Sequence, residues 1–113
     1  MKLINISYDC EYDYETDTTF IEGYVDLMSV PDFVADNVER FQKEFLDWTC
    51  KVYKEPKEKN PQYWTTYDGY DCLGFNSEHF AEWLNENYSS DDGIAEVLQI
   101  GVTYNPKYPT VCF

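Results

Sequence analysis

From Leu3 onward the even positions read Ile4, Ile6, Tyr8, Cys10, Tyr12 and Tyr14, while the odd ones read Asn5, Ser7, Asp9, Glu11, Asp13 and Glu15. Successive side chains leave a strand on opposite faces, so a period of two held this long predicts one long, half-buried strand. Glu15–Thr16–Asp17–Thr18 supplies a turn. Phe20 to Met28 alternates again, with Ile21, Val25 and Leu27 on the inner face and Glu22, Tyr24 and Asp26 on the outer. The chain is expected to open with a β-hairpin whose outer face is a row of acids, Asp9, Glu11, Asp13, Glu15 and Asp17.

After the hairpin the period changes. Ser29 is expected to cap a helix, with Asp32 in its first turn, where the helix dipole favours an acid. Behind it Val34, Val38, Phe41, Phe45, Trp48 and Val52 recur at steps of four and three, the stripe of a helix of about five turns. A stripe of this length beside strands is read as core. The segment 54–62 holds two prolines and no apolar residue, which makes it a solvated connection.

Tyr63–Thr66 and Tyr70–Leu73 flank Tyr67–Asp68–Gly69, and Asp-Gly tolerates the positive φ of a tight hairpin turn. A second helix follows from Asn76 or Ser77 to about Tyr88, burying Phe80, Trp83 and Leu84. Ser89 to Gly93 closes it. Leu98, Ile100, Val102 and Tyr104 alternate as the apolar face of a last strand, and the tail from Lys107 is expected to pack down on its apolar residues. The order ββαββαβ gives an α+β fold: a mainly antiparallel sheet from two hairpins plus a C-terminal strand, with two helices on one face. The 113 residues are read as one domain, 1–113.

The chain carries 22 acidic and 8 basic residues, a formal charge of −14, yet 19% of it is aromatic. Aromatic content of that order belongs to a folded chain rather than an acidic tail, so the acids are displayed on a scaffold. Such a surface repels nucleic acid and anionic lipid, which excludes both as direct partners, and attracts basic proteins. The excess is uneven. Residues 31–60 hold seven acids and six bases, whereas the rest of the chain holds 15 acids and two bases.

Two rows of acids stand out. Alternate residues of a strand lie about 6.6 Å apart, which sets the interval along the first row. Glu78, Glu82 and Glu86 fall at i, i+4 and i+8 on the second helix, about 6 Å apart on one face. Asp91 and Asp92 extend that acidity beyond the helix. A nucleic-acid strand carries one phosphate per about 3.4 Å of rise and more along its winding backbone, so both rows have the scale of a phosphate row. Like charges at i, i+4 cost about 0.2–0.5 kcal/mol per pair, a loss the sequence accepts where a Lys at 82 would turn it into a gain. The bland reading of such rows is solubility. Tyrosine among the acids favours recognition: its ring faces an arginine guanidinium, which a carboxylate grips as a bidentate acceptor.

Chemistry is harder to find. A calcium loop starting at Asp13 needs Gly at its sixth place and Glu at its twelfth, where this chain has Thr18 and Tyr24. His79 is the only histidine, which removes multi-histidine metal sites and leaves Cys72 with no third member for a catalytic arrangement. No glycine-rich phosphate loop is present, so no cofactor, metal site or catalytic residue is assigned. Cys10, Cys50, Cys72 and Cys112 form no C-x-x-C pair and are read as four free, mostly buried thiols in a reducing, cytoplasmic setting. No stretch approaches a membrane span, and Asn5 interrupts the opening before it can act as a signal-peptide core.

In charge, size and the acid rows at 13–17 and at Glu78, Glu82 and Glu86, the chain resembles the small acidic phage-encoded inhibitors of host defence, DNA mimics that block restriction enzymes or CRISPR effectors. The resemblance implies a non-catalytic protein that binds the basic nucleic-acid groove of a CRISPR effector, restriction enzyme or nuclease in a bacterial host cell. An immunity protein against a basic nuclease toxin is the neighbouring alternative, and a small carboxylate- or metal-dependent hydrolase is the alternative of another class. A homodimer through an edge strand stays open.

Overall fold

The computed structural model describes residues 1–8, 10–21, 23–88 and 93–113, apart from the side chain of Thr19. In chain order come β1 (Lys2–Ser7), β2 (Cys10–Asp13), β3 (Thr18–Ile21), β4 (Val25–Val30), α1 (Asp32–Ala35), α2 (Val38–Tyr53), two short 3₁₀ turns (Lys57–Lys59 and Pro61–Tyr63), β5 (Trp64–Tyr67), β6 (Tyr70–Leu73), α3 (Ser77–Asn87), β7 (Glu96–Val102) and β8 (Thr110–Cys112). The fold is α+β. Its main sheet has the order β7-β4-β1-β8, while β2-β3 and β5-β6 are separate two-stranded ribbons. No helix among the described residues is long and apolar enough to cross a membrane.

The first long strand divides in two. Ile6 pairs with Asp26 in the sheet and Cys10 pairs with Ile21 in the ribbon. Three residues separate the pairs on one strand and four on the other, so the ribbon's ladder is offset by one residue from the sheet's. Gly23, with φ of 85°, lies in the longer side, where a left-handed backbone favours glycine.

The offset changes which side chains face inward. Ile4, Ile6, Met28 and Val30 pack in the core with Phe41 and Phe45 of α2 and Phe80, Trp83 and Leu84 of α3, so both helices cover one face of the sheet. Asp26 shares that face with Met28 and Val30, the reverse of the expected assignment. Asn5 and Ser7, expected on an outer face, are also buried. The C-terminal segment covers them: the Asn5 side-chain amide donates to the carbonyls of Asn105 (2.8 Å) and Tyr108 (3.2 Å), and the Asn5 backbone N–H donates to Pro109 O (2.8 Å). β8 then lies parallel to β1, with Cys112 beside Ser7.

The long apolar stripe keeps its residues but not its single helix. Val34, Phe41, Phe45 and Val52 are buried, with Val38 and Trp48 packed against them, although Asn37 breaks the helix at φ −139° and ψ 42°. Ser29 is not a cap; it pairs with Leu3 and Glu96 inside the sheet. Asp32 does stand in the first turn of α1, as expected, and Asp32 and Asp36 hold the N-terminal ammonium (3.0 Å) and Lys2 (2.8 Å).

The second hairpin and second helix form as the sequence predicts. Asp68 and Gly69 both take positive φ, 52° and 82°, the geometry that a two-residue turn of this kind requires. Asn76 caps α3: its Oδ1 accepts from the His79 N–H (3.0 Å), while His79 Nδ1 accepts from the Asn76 N–H (3.1 Å). The lone histidine is thus half of a capping box.

β7 departs from expectation. Val25, Leu27 and Met28 of β4 stand opposite Val102, Gln99 and Val97, so β7 carries two extra residues along the pair. These bulges break the alternation read from the sequence. Val97 packs on the core, while Leu98 and Ile100, expected inside, are 46% and 72% exposed.

Candidate acidic interface

The β2-β3 ribbon presents the first acids. Glu11 and Asp13 alternate on β2, opposite Phe20 and Thr18. The chain then turns over residues 14–17, one residue earlier than the expected turn at 15–18, so Glu15 stands with Asp17 in the turn and leaves the strand ladder expected of Asp9, Glu11, Asp13 and Glu15. Asp13 Oδ1 accepts from the Glu15 N–H (2.9 Å), and Asp17 takes a left-handed φ of 53°. A short polar side chain that bonds its own backbone two residues on is a turn former, which explains why the alternation stops there. Asp9 lies outside the described residues.

Tyrosines expected on the buried face of the strand are outside. Tyr12 is 45% and Tyr14 89% exposed, and their rings meet edge to face with centroids 4.8 Å apart. Tyr24 is exposed as well. On β2 the tyrosine and the acids take opposite faces, Tyr12 on one and Glu11 and Asp13 on the other, while Tyr14 shares the turn with Glu15 and Asp17.

α3 presents the second row. Glu78, Glu82 and Glu86 are exposed, while Phe80, Ala81, Trp83 and Leu84 are buried on the opposite side. Asp91 and Asp92 lie outside the described residues. Among the described residues, ion pairs engage Asp32, Asp36, Glu44, Asp47, Glu55 and Asp71. None of them engages Glu11, Asp13, Glu15, Asp17, Glu78, Glu82 or Glu86. Arg40, the sole arginine, is held by Glu44 at 3.1 Å and lies over the rings of Phe41 and Tyr88.

One buried acid joins the two rows at their bases. Asp26, 6% exposed, accepts from Ser77 Oγ (2.7 Å) at the start of α3, from the Tyr8 hydroxyl (3.2 Å) just before the ribbon, and from the Gly101 N–H (3.1 Å) on β7. Three donors on one carboxylate compensate its burial. Burial, and after it the adjoining Asp26 charge, hold the Tyr8 phenol above its ordinary range, while Ser77 works against the shift. Sequence reading missed Asp26. A carboxylate two residues before Met28 and four before Val30 shares their face, and that spacing was the available signal.

A second junction lies between α2 and α3. The Tyr88 hydroxyl donates to Glu44, which also accepts from Arg40. These bonds hold the Glu44 carboxyl below its usual range and push the Tyr88 phenol above its own.

The cysteine expectation is corrected. Cys10 and Cys112 form a disulfide, while Cys50 and Cys72 are free, and Cys50 is exposed rather than buried. Because β8 runs beside β1, Cys112 stands next to Ser7, three positions from Cys10, and the two Cα atoms lie 6.2 Å apart. An open cleft of about 580 Å³ adjoins the bond, lined in part by Phe20, Ile21, Glu39 and Gln42. Among the described residues, no three acids, cysteines or histidines converge as metal ligands. Comparison with protein-family models, curated proteins and solved structures finds no match to this chain.

Proposed function

We propose that this protein is a non-catalytic acidic inhibitor that occupies the basic nucleic-acid-binding groove of a larger protein, in the manner of a DNA mimic. Its targets would be a CRISPR effector, a restriction enzyme or a nuclease, and its setting the cytoplasm of a bacterial host cell. One observation carries the reading: among the described residues seven carboxylates, on the β2-β3 ribbon and its turn and on α3, take part in no ion pair, although Lys2, Arg40, Lys43, Lys57 and Lys59 pair with other acids. Exposed Tyr14, in the turn with Glu15 and Asp17, suits an arginine-rich surface. Charge steering of this kind speeds association and weakens as salt rises.

The test is competition. A partner captured from bacterial lysate, eluted by salt and identified by mass spectrometry, is titrated with its own DNA or guide RNA in the presence of this protein. Mutual exclusion supports the reading, and simultaneous occupancy refutes it.

A further inference from the structure

The β2-β3 ribbon pairs only with itself and belongs to neither larger layer of the fold. A two-stranded ribbon alone is marginally stable in water. Apart from its two chain connections, a covalent bond ties this one to the body. Cys10 sits at the ribbon's base and Cys112 in β8, where the Cys112 N–H donates to Gln42 Oε1 (2.8 Å) and the neighbouring Val111 is fully buried. One end of the bond is anchored. The other holds a ribbon that, among the described residues, shares no sheet ladder with the body.

The bond is also reachable. Both cysteines are half-buried, and both line the open cleft of about 580 Å³. Accessible disulfides are the ones that exchange with thiols, because an attacking thiolate must reach a sulfur. We infer that Cys10–Cys112 is a thiol–disulfide exchange site at which a dithiol reductant of the thioredoxin class releases the acidic ribbon from the body of the fold. A reductant thiolate attacks one sulfur and forms a mixed disulfide. The second cysteine leaves as a thiolate and takes a proton. The reductant's other thiol then closes its own disulfide and frees the first cysteine, so two electrons pass to the protein and the dithiol is oxidised. The inference stands apart from the inhibitor reading, because it concerns only the bond and the ribbon.

The experiment uses the whole chain, with Cys50→Ser and Cys72→Ser to prevent reshuffling. It is oxidised, then treated under native conditions with thioredoxin, its reductase and NADPH. Intact mass after alkylation counts the thiols, and hydrogen exchange reads the backbone. The expected result is two new thiols, with amides of β2 and β3 exchanging at least about tenfold faster while those of β1, β4 and α2 hold their protection. A bond that resists the reductant until the protein is unfolded, a ribbon whose exchange is unchanged on reduction, or loss of protection throughout the chain would each overturn the inference. Cys10→Ser should reproduce the reduced pattern; if that variant fails to fold, the reduced parent chain decides.

Discussion

Ser77 donates its hydroxyl hydrogen to Asp26 over 2.7 Å, joining residues 51 positions apart in sequence in a buried hydrogen bond. The same carboxylate accepts from Tyr8 and from the Gly101 N–H, so one side chain ties β4 to α3, β7 and the base of the acidic ribbon. Asp26→Ala would strand the buried Ser77 hydroxyl and take the acceptor from Tyr8 and the Gly101 N–H. Hydrogen bonds to a charged group are worth about 1.5–3 kcal/mol each when one partner is removed, so the substitution should cost about 3 kcal/mol or more. Ser77→Ala should cost about 1.5 kcal/mol, and the double variant less than the sum. Urea unfolding of the three variants measures this; strict additivity would mean that the pair is not coupled.

Two tyrosines contribute to the alkaline limit. Tyr8 and Tyr88 both hold their protons more tightly in the fold than the ordinary tyrosine value of 10.0, Tyr8 chiefly through burial and Tyr88 chiefly through its bond to Glu44. With folded values above the unfolded one, their contribution is complete below pH 10 and is lost as pH rises through the folded values. Glu44 works in the opposite sense. Its folded value is depressed by Tyr88 and Arg40, so its contribution is present above the usual glutamate range and disappears as pH falls through the folded value. Melting temperature against pH should therefore drop at both ends, and Tyr88→Phe should flatten both drops relative to the parent.

Phe45 is the centre of the aromatic core. Its ring lies 5.0–5.9 Å from those of Trp48, Phe75, Phe80, Trp83 and Phe113. Phe45→Ala should cost about 3–5 kcal/mol, because neighbours from α2, α3 and the C-terminus cannot all collapse into one cavity. Phe45→Leu keeps most of the volume and should cost less. Calorimetry or denaturant unfolding separates the two.

How far the sequence could be read depended on whether a local pattern met its own partner. The second hairpin and α3 were legible, because Asp68-Gly69 and the Asn76 cap act over a few residues. The core stripe from Val34 to Val52 was legible as well, although the break at Asn37 was not, since four-and-three spacing survives a short interruption. Long-range relations were lost. Nothing local marks that residues 105–110 cover Asn5, that β8 lies beside β1, or that Cys112 meets Cys10. Bulges defeated the period-two rule in β7, where extra residues change which side faces the core. Among the acids, Glu78, Glu82 and Glu86 were read correctly as one exposed face. In the first row the turn holding Asp17 was legible, but the ladder stops short of Glu15, because Asp13 bonds the Glu15 N–H and ends the strand.

The α3 row offers the sharpest separation between a functional charge and an incidental one. Glu82 stands four residues from both Glu78 and Glu86, and all three are exposed. Glu82→Lys replaces two like-charge i, i+4 contacts with two favourable ones, so stability should rise by about 1 kcal/mol at low salt and less at high salt. If these acids stand in for phosphates, the same change should weaken partner binding and reduce the dependence of affinity on salt, because one attractive charge has become repulsive. Glu11→Lys with Asp13→Lys should weaken binding in the same way without that gain in stability, since on a strand residues four apart are not neighbours as they are on a helix. The paired measurement is a denaturation midpoint beside a dissociation constant at two salt concentrations. A more stable Glu82→Lys that binds as tightly as the parent, together with unaltered binding by the β2 double variant, would show both rows to be solubilising surface and remove the basis for mimicry.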